Sequence, residues 1–215
     1  MHEYTITALE PQKNSKRRYN LYLDGEFKCG ITEDSVAVFR LKAGQTLTES
    51  KLREIMDTTE TQIAFDKCLN LLGKSMKTTK QIKEYLQQKG FGDRVSQNVI
   101  NKLKEYKYID DQAYAVAFVS QFKTCKGAFR IRQELMLKGI KKEIIDEALS
   151  NIDENEKVEN AFNLAKKAVK GKQIDQKQLI KVNRHLLSRG FDFETVNVVL
   201  NRLKTENGFS ADEKE

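Results

Sequence analysis

Histidine, proline and tryptophan are scarce or absent in this chain of 215 residues. With only two histidines, His2 and His185, neither a histidine-based zinc site nor a Ser/His/Asp catalytic triad can be assembled plausibly. No GxxxxGKS/T or GxGxxG sequence occurs, so the common phosphate-binding loops are excluded as well. We therefore predict a protein that is not an enzyme and that holds no cofactor or metal.

Long hydrophobic runs are also missing. No apolar segment approaches the roughly 20 residues that a membrane helix needs, and residues 1–13 lack the basic start and apolar stretch of a secretory signal. We expect a cytoplasmic protein without membrane contact. The cysteines, Cys29, Cys68 and Cys125, are odd in number and far apart, which favours reduced thiols over a disulfide framework.

Positive charge is concentrated in the middle of the chain. The net charge is +7, yet residues 1–50 carry seven basic and seven acidic side chains. Residues 74–107 carry nine basic against three acidic side chains, and residues 123–142 carry seven against one, so each segment has a net charge of +6. This pattern favours a polyanionic partner, either nucleic acid or an acidic protein groove, whereas a merely solvated basic face is the simpler alternative.

A β pattern occupies the N-terminal part of the chain. The run YTITALE alternates apolar and polar residues, and Asp24-Gly25 separates two short strand-like runs, which predicts a β-hairpin. After Ile31 the β pattern stops, and a hydrophobic period of 3.6 residues continues to about Lys204. The single proline lies in the N-terminal part, so no proline interrupts the helices that this period predicts.

Three segments share one hydrophobic pattern at intervals of about 50 residues. Each segment contains a glycine, a leucine four residues before it and an apolar residue directly after it. The glycines are Gly90, Gly139 and Gly190, the leucines Leu86, Leu135 and Leu186, and the apolar residues Phe91, Ile140 and Phe191. Each segment is typical of a helix that ends at a glycine with positive φ, followed by a second helix.

A third helix precedes each of these helical hairpins. The sequence thus predicts a mainly α fold, in which three tandem three-helix units form an elongated array after a small N-terminal β-hairpin. The predicted segments are a hairpin extension at 1–45, a linker helix with the first unit at 46–107, the second unit at 108–152, the third unit at 153–206, and a flexible tail at 207–215.

Two adjacent carboxylates, Asp110 and Asp111, fall where the first helix of the second unit must begin. Aspartate is favoured as an N-cap and in the first helical turn, where the helix dipole is positive. We interpret the pair as a helix start. The enzymatic alternative is a divalent-metal site at these two residues, which metal-dependent nuclease activity would reveal.

Two predicted helices carry basic side chains away from their buried stripes. On the helix that begins near Thr78, which resembles a capping box with Gln81, the apolar stripe includes Ile82 and leaves Lys80 and Lys83 on another face. The equivalent helix of the second unit pairs an aromatic residue with arginine, a combination common at interfaces. The candidate partner-binding residues are Lys77, Lys80, Lys83, Phe129, Arg130, Arg132 and Lys138.

Two motifs resemble the RecX family of bacterial recombination regulators. They are Thr78-x-x-Gln81-Ile82 with Lys89-Gly90-Phe91 and Tyr108-Ile109-Asp110-Asp111, and Gly127-x-x-Arg130-Ile131-x-x-Glu134-Leu135. Relatives often carry Ser-x-x-Glu-Leu at the first of these positions, and the substitutions here leave the cap intact. The resemblance covers about residues 60–205, and the N-terminal hairpin is similar to the extension of members from Gram-positive bacteria.

The resemblance implies a regulator that binds the RecA filament on single-stranded DNA. It would mostly inhibit filament growth, ATP hydrolysis and strand exchange, in DNA repair and the SOS response. Direct contact with single-stranded or double-stranded DNA is a further expectation, and we expect a monomer. The alternative is a stand-alone nucleic-acid-binding helical module, which strongly salt-dependent DNA binding without RecA would favour.

Overall fold

The structure is a computed structural model that describes residues 3–13, 15–170 and 174–207. It divides into two compact units, Met1–Ile109 and Asp110–Glu215. The predicted tail begins at residue 207, and its remaining residues, 208–215, lie outside the described residues. The described part of the chain contains four strands, all within its first 48 residues, and ten helices, which confirms the predicted mainly α fold with a β element at its N-terminus.

The first compact unit begins with an antiparallel sheet. Its elements are β1 (Glu3–Gln12), β2 (Ser15–Leu23), β3 (Glu26–Thr32), α1 (Glu33–Val38) and β4 (Thr46–Thr48). The strand order is β3-β2-β1-β4. Asp24 and Gly25, with φ of +53° and +87°, form the turn that joins β2 to β3, so the predicted hairpin is confirmed. Positive φ at both turn residues matches the right-handed twist of the flanking strands.

A single long helix, α2 (Glu49–Leu72), is shared between two hydrophobic cores of this unit. Its N-terminal half contributes Leu52 and Ile55 to the core beneath the sheet. Its C-terminal half contributes Ala64, Phe65 and Cys68 to the core of the first three-helix unit. The same 24-residue helix therefore belongs both to the sheet and to the first three-helix unit.

The three predicted three-helix units are present. The first consists of the C-terminal half of α2 with α3 (Thr79–Gln88) and α4 (Asp93–Glu105). The second consists of α5 (Asp111–Phe122), α6 (Ala128–Leu137) and α7 (Lys142–Ser150), and the third of α8 (Glu154–Val169), α9 (Gln176–Ser188) and α10 (Phe193–Glu206). Each unit has its own buried cluster. The equivalent leucines, Leu86, Leu135 and Leu186, are all completely buried, which confirms the repeat alignment.

The repeat glycines end α3, α6 and α9 as predicted. Gly90, Gly139 and Gly190 have φ of +83°, +82° and +85°. In each unit the apolar residue after the glycine donates its N–H to the carbonyl of the repeat leucine, at 3.1 to 3.2 Å. This bond folds the chain back and satisfies a carbonyl that the ending helix would leave unpaired.

In the third unit, an ion pair joins α8 to the start of α10. Asp192 caps α10 by accepting a hydrogen bond from the Thr195 N–H at 2.8 Å, and Lys157 Nζ of α8 lies 2.7 Å from the same carboxylate. Burial alone would raise the pKa of Asp192, but the hydrogen bonds from Lys157 and Thr195 outweigh it and lower the pKa from 3.8 to about 2.

We expect Asp192→Asn to make this part of the fold less dependent on pH. Asparagine still caps the helix, but it cannot form the ion pair, so the variant should be less stable at neutral pH by about 1 kcal/mol, a value reduced for solvent screening. Because the pKa of Asp192 is lowered on folding, its contribution is present above about pH 4 and disappears as the pH falls toward 2. Urea unfolding of both proteins across this range measures the difference, and a constant difference would contradict the assignment.

Candidate partner-binding surface

The basic surface of the first unit lies on α3. Thr78 is fully buried and caps this helix, because its hydroxyl accepts from the Gln81 N–H at 3.2 Å while Gln81 Oε1 accepts from the Thr78 N–H at 3.1 Å. The predicted capping box is therefore confirmed. This cap fixes where the helix begins, and it thereby fixes which residues face the core.

Lys80 and Lys83 are exposed on α3, and Lys77 is half-buried just before it. Ile82 is fully buried in the core, as the helical spacing predicts. Lys80 Nζ lies 3.8 Å from Glu84 Oε1 one turn later, which is a weak, solvent-exposed pair. The α3 surface therefore keeps most of its positive charge.

The corresponding surface of the second unit lies on α6. Phe129 has 63% of its surface exposed, and Arg130 is also exposed. Arg130 Nε lies 3.0 Å from Glu134 Oε1, and Lys126 Nζ lies 2.5 Å from the other oxygen of the same carboxylate. Burial alone would raise the pKa of Glu134, but hydrogen bonds from Lys126 and Arg130 outweigh it and lower the pKa. The Glu134 carboxylate is thus ionised and offsets part of the positive charge of α6.

Two other candidate residues, Arg132 on α6 and Lys138 at its C-cap, have partners within the fold. Arg132 forms an ion pair with Asp146 that joins α6 to α7. Lys138 is half-buried, with its Nζ 5.7 Å from the centre of the Phe118 ring. Both side chains therefore contribute to the second unit itself. A role in partner binding remains a prediction for all seven candidates.

The structure also reveals a contact between the second and third units that the sequence did not indicate. The Gly127 N–H donates to the Arg189 carbonyl at 2.9 Å, and the Phe129 N–H donates to the Gly190 carbonyl at 3.2 Å. We call this contact, formed by Gly127, Phe129, Arg189 and Gly190, the glycine clasp. A Cβ on Gly127 would lie 2.1 Å from the Gly190 carbonyl oxygen, and one on Gly190 would lie 2.4 Å from the Arg130 nitrogen.

The glycine clasp positions the exposed end of α6. The first N–H groups of a helix have no partner within that helix, and Gly127 provides no side-chain cap. The end of α9 supplies the missing acceptors instead, so the Phe129 and Arg130 surface is held by the third unit. A second polar contact joins the same two units, since Nζ of Lys123, the C-cap of α5, lies 2.5 Å from Glu156 Oε1 of α8.

Asp110 begins α5, as the sequence predicts. Its carboxylate accepts hydrogen bonds from the N–H groups of Gln112 at 2.8 Å and Ala113 at 3.1 Å, and Asp111 lies in the first turn. The interpretation of this pair as a helix start is confirmed. Within the described residues, no cluster of three or more His, Cys, Asp or Glu side chains could hold a metal ion.

We expect Asp110→Asn to keep nearly full stability, because asparagine accepts the same N–H groups. Asp110→Ala should lower the free energy of unfolding by about 1 kcal/mol, since those groups lose their acceptor. Thermal or urea unfolding measures both changes. An alanine variant as stable as the parent would show that the cap is dispensable. An Asn variant that folds normally but loses the function of the protein would instead support a catalytic or metal-binding role for Asp110.

The three cysteines are unpaired. Cys68 is buried, and burial raises the pKa of its thiol to about 11, so this thiol stays protonated at neutral pH.

Among the helices that the structure describes, none combines the length and hydropathy required to cross a membrane.

Three protein-family models match separate parts of the chain. Residues 4–48 match the regulatory protein RecX N-terminal domain. Residues 64–103 match the first three-helix domain of RecX, and residues 110–149 match the second. These ranges correspond to the sheet and to the first two helical units.

Individual relatives show the same similarity over nearly the whole chain. Regulatory protein RecX of Clostridioides difficile (strain 630) is 36% identical over 203 residues, which is 92% of this chain and 95% of the relative. That of Bacillus licheniformis is 33% identical over 211 residues, which is 96% of this chain and 80% of the relative. A crystal structure of regulatory protein RecX has a TM-score of 0.76 and 30% identity, covering 92% of this chain and 99% of the other.

Proposed function

Because this chain belongs to the RecX family of regulatory proteins, we propose that it binds the RecA filament on single-stranded DNA and restrains filament growth, ATP hydrolysis and strand exchange. Family membership across nearly the whole chain is the observation that carries the proposal. The role requires no chemistry by this chain, since occupying the filament would be enough to block subunit addition or movement.

The proposed contact surfaces are the basic face of α3 and the exposed start of α6. Each belongs to a three-helix unit that fixes it through a buried core. Phosphates or acidic side chains of a nucleoprotein filament would attract the lysines of α3 from a distance, and the attraction would weaken with added salt. Phe129 adds an exposed aromatic ring beside Arg130, and this type of residue often anchors interfaces.

A filament assembly assay tests the proposal. RecA is assembled on single-stranded DNA with and without this protein, while light scattering reports filament growth and phosphate release reports ATP hydrolysis. We expect both rates to fall. Addition to preformed filaments should also reduce ATP hydrolysis, which separates action on the filament from competition for free DNA. Unchanged growth and hydrolysis at a large excess of the protein would rule the proposal out.

A further inference from the structure

Three aromatic rings meet at the end of α4. Phe65 of α2 is buried, whereas Tyr106 and Tyr108 have 55% and 53% of their surfaces exposed. The ring centres are 6.2 Å apart for Phe65 and Tyr106, and 6.3 Å apart for each of the other two pairs. All three pairs meet edge to face, a favourable aromatic geometry, so the buried ring orients the two exposed ones.

Lysine residues flank the two tyrosines in the sequence, and one of them lies over the Phe65 ring. Lys102 Nζ lies 4.6 Å from the centre of the Phe65 ring and 3.3 Å from Gln62 Oε1. Lys104 and Lys107 are exposed, and neither forms an ion pair within the part of the chain that the structure describes. From 102 to 108 the sequence holds three lysines and one acidic residue, Glu105. The tyrosines therefore lie in a locally basic segment.

The backbone between the two tyrosines is unusual. Lys107 follows the C-cap of α4 and has a φ of +57°, in the left-handed region that side chains disfavour. The residues with positive φ directly after the C-caps of α3, α6 and α9 are all glycines. The Lys107 N–H donates to the Lys104 carbonyl at 2.9 Å, and the Tyr108 N–H donates to the Leu103 carbonyl at 2.8 Å. A lysine in this conformation lowers stability relative to glycine, which favours a functional reason for its charge.

We infer that Tyr106, Lys107 and Tyr108 form a stacking platform for the bases of single-stranded nucleic acid, with Lys102 and Lys104 facing its phosphates. Unpaired bases stack on exposed aromatic rings whatever their sequence, while lysines neutralise the backbone. Duplex DNA keeps its bases inside the helix, so it cannot use the tyrosines in this way. This inference goes beyond the proposed action on RecA, because it requires contact with nucleic acid by this chain alone.

Binding to an oligothymidylate of about 20 nucleotides, measured by fluorescence anisotropy with the full chain and no RecA, tests the inference. Changing Tyr106→Ala and Tyr108→Ala together should weaken binding at least about five-fold, because base stacking is lost. The matched control, Tyr106→Phe with Tyr108→Phe, keeps the rings and should bind like the parent. Melting temperatures of all variants show whether folding is preserved.

Lys107→Gly separates binding from stability. Glycine relieves the positive φ, so the melting temperature should rise, whereas loss of the charge should weaken oligothymidylate binding and make the salt dependence less steep by about one phosphate contact. The inference is overturned if the alanine pair or Lys107→Gly binds oligothymidylate like the parent protein. It is equally overturned if a duplex of the same length shows the same losses, or if the alanine pair changes RecA inhibition alone, which would assign the rings to a protein contact.

Discussion

Gly190→Ala is expected to lower the free energy of unfolding by about 2 to 5 kcal/mol, which sums the left-handed backbone penalty and the cost of overpacking. Gly190 has a φ of +85°, and an added Cβ would lie 2.4 Å from the Arg130 nitrogen. Neither a backbone nitrogen nor the helix that carries it can move away easily. The glycine clasp would therefore open or distort, and urea unfolding of the full chain measures the loss.

Gly90→Ala is the matched control for this prediction. Gly90 occupies the equivalent position in the first unit with a φ of +83°, but an added Cβ would meet no atom within 4 Å. The control should lose only the backbone penalty of about 1 kcal/mol. Gly127→Ala isolates the cost of overpacking. Gly127 has an ordinary φ of −76°, so alanine adds no backbone penalty there, but its Cβ would lie 2.1 Å from the Gly190 oxygen. Equal losses at Gly90 and Gly190 would show that the clasp contributes nothing.

Neutralising both proposed contact surfaces should raise the concentration needed for half-inhibition of RecA about ten-fold or more, if each lost charge contributes about 0.5 kcal/mol. The variant changes Lys77, Lys80, Lys83 and Arg130 to glutamine. Glutamine has nearly the helix propensity of lysine and arginine, so the helices should remain intact. Arg132 is left unchanged, because its ion pair with Asp146 joins α6 to α7. Inhibition of RecA ATP hydrolysis measures the change.

The control removes the same number of charges from the third unit. The control residues are exposed, and no ion pair involves them within the described residues: Lys167, Lys170, Lys177 and Lys181. Residues 150–215 carry twelve basic and eleven acidic side chains, so this region attracts polyanions less. The surface assignment fails if both variants inhibit like the parent, or if the control loses more. Melting temperatures exclude unfolding as the cause.

Local patterns predicted much of the fold, because the residues that form the core of each repeat lie within a short stretch of sequence. The positive φ of the repeat glycines, the burial of the repeat leucines and the capping box at Thr78 all follow from spacing. The strand β4 was not predicted, since its three residues are too few to show a period. The continuity of α2 was also missed, because a helix shared by two cores has two apolar faces in succession.

For the proposed contact surfaces, the sequence could predict only which side chains are exposed, because exposure follows from helical spacing. Spacing indicates that Phe129 and Arg130 are exposed, and they are. It could not indicate that Arg132 pairs with Asp146, nor that Gly127 meets Gly190. These contacts depend on how separate helices pack, and no local rule specifies that packing. The motif glycine at 127 was visible in the sequence, but its partner in the third unit was not.

The long helix α2 has a consequence for how the first compact unit loses structure. Its two halves complete different cores, and a buried hydroxyl contact of 2.8 Å between Ser35 of α1 and Thr59 ties its middle to the sheet region. Fraying of α2 from either end would expose one core and remove support from the other. The sheet and the first three-helix unit should therefore exchange their amide hydrogens as one cooperative block, whereas helices that touch neighbours only at their ends can open separately.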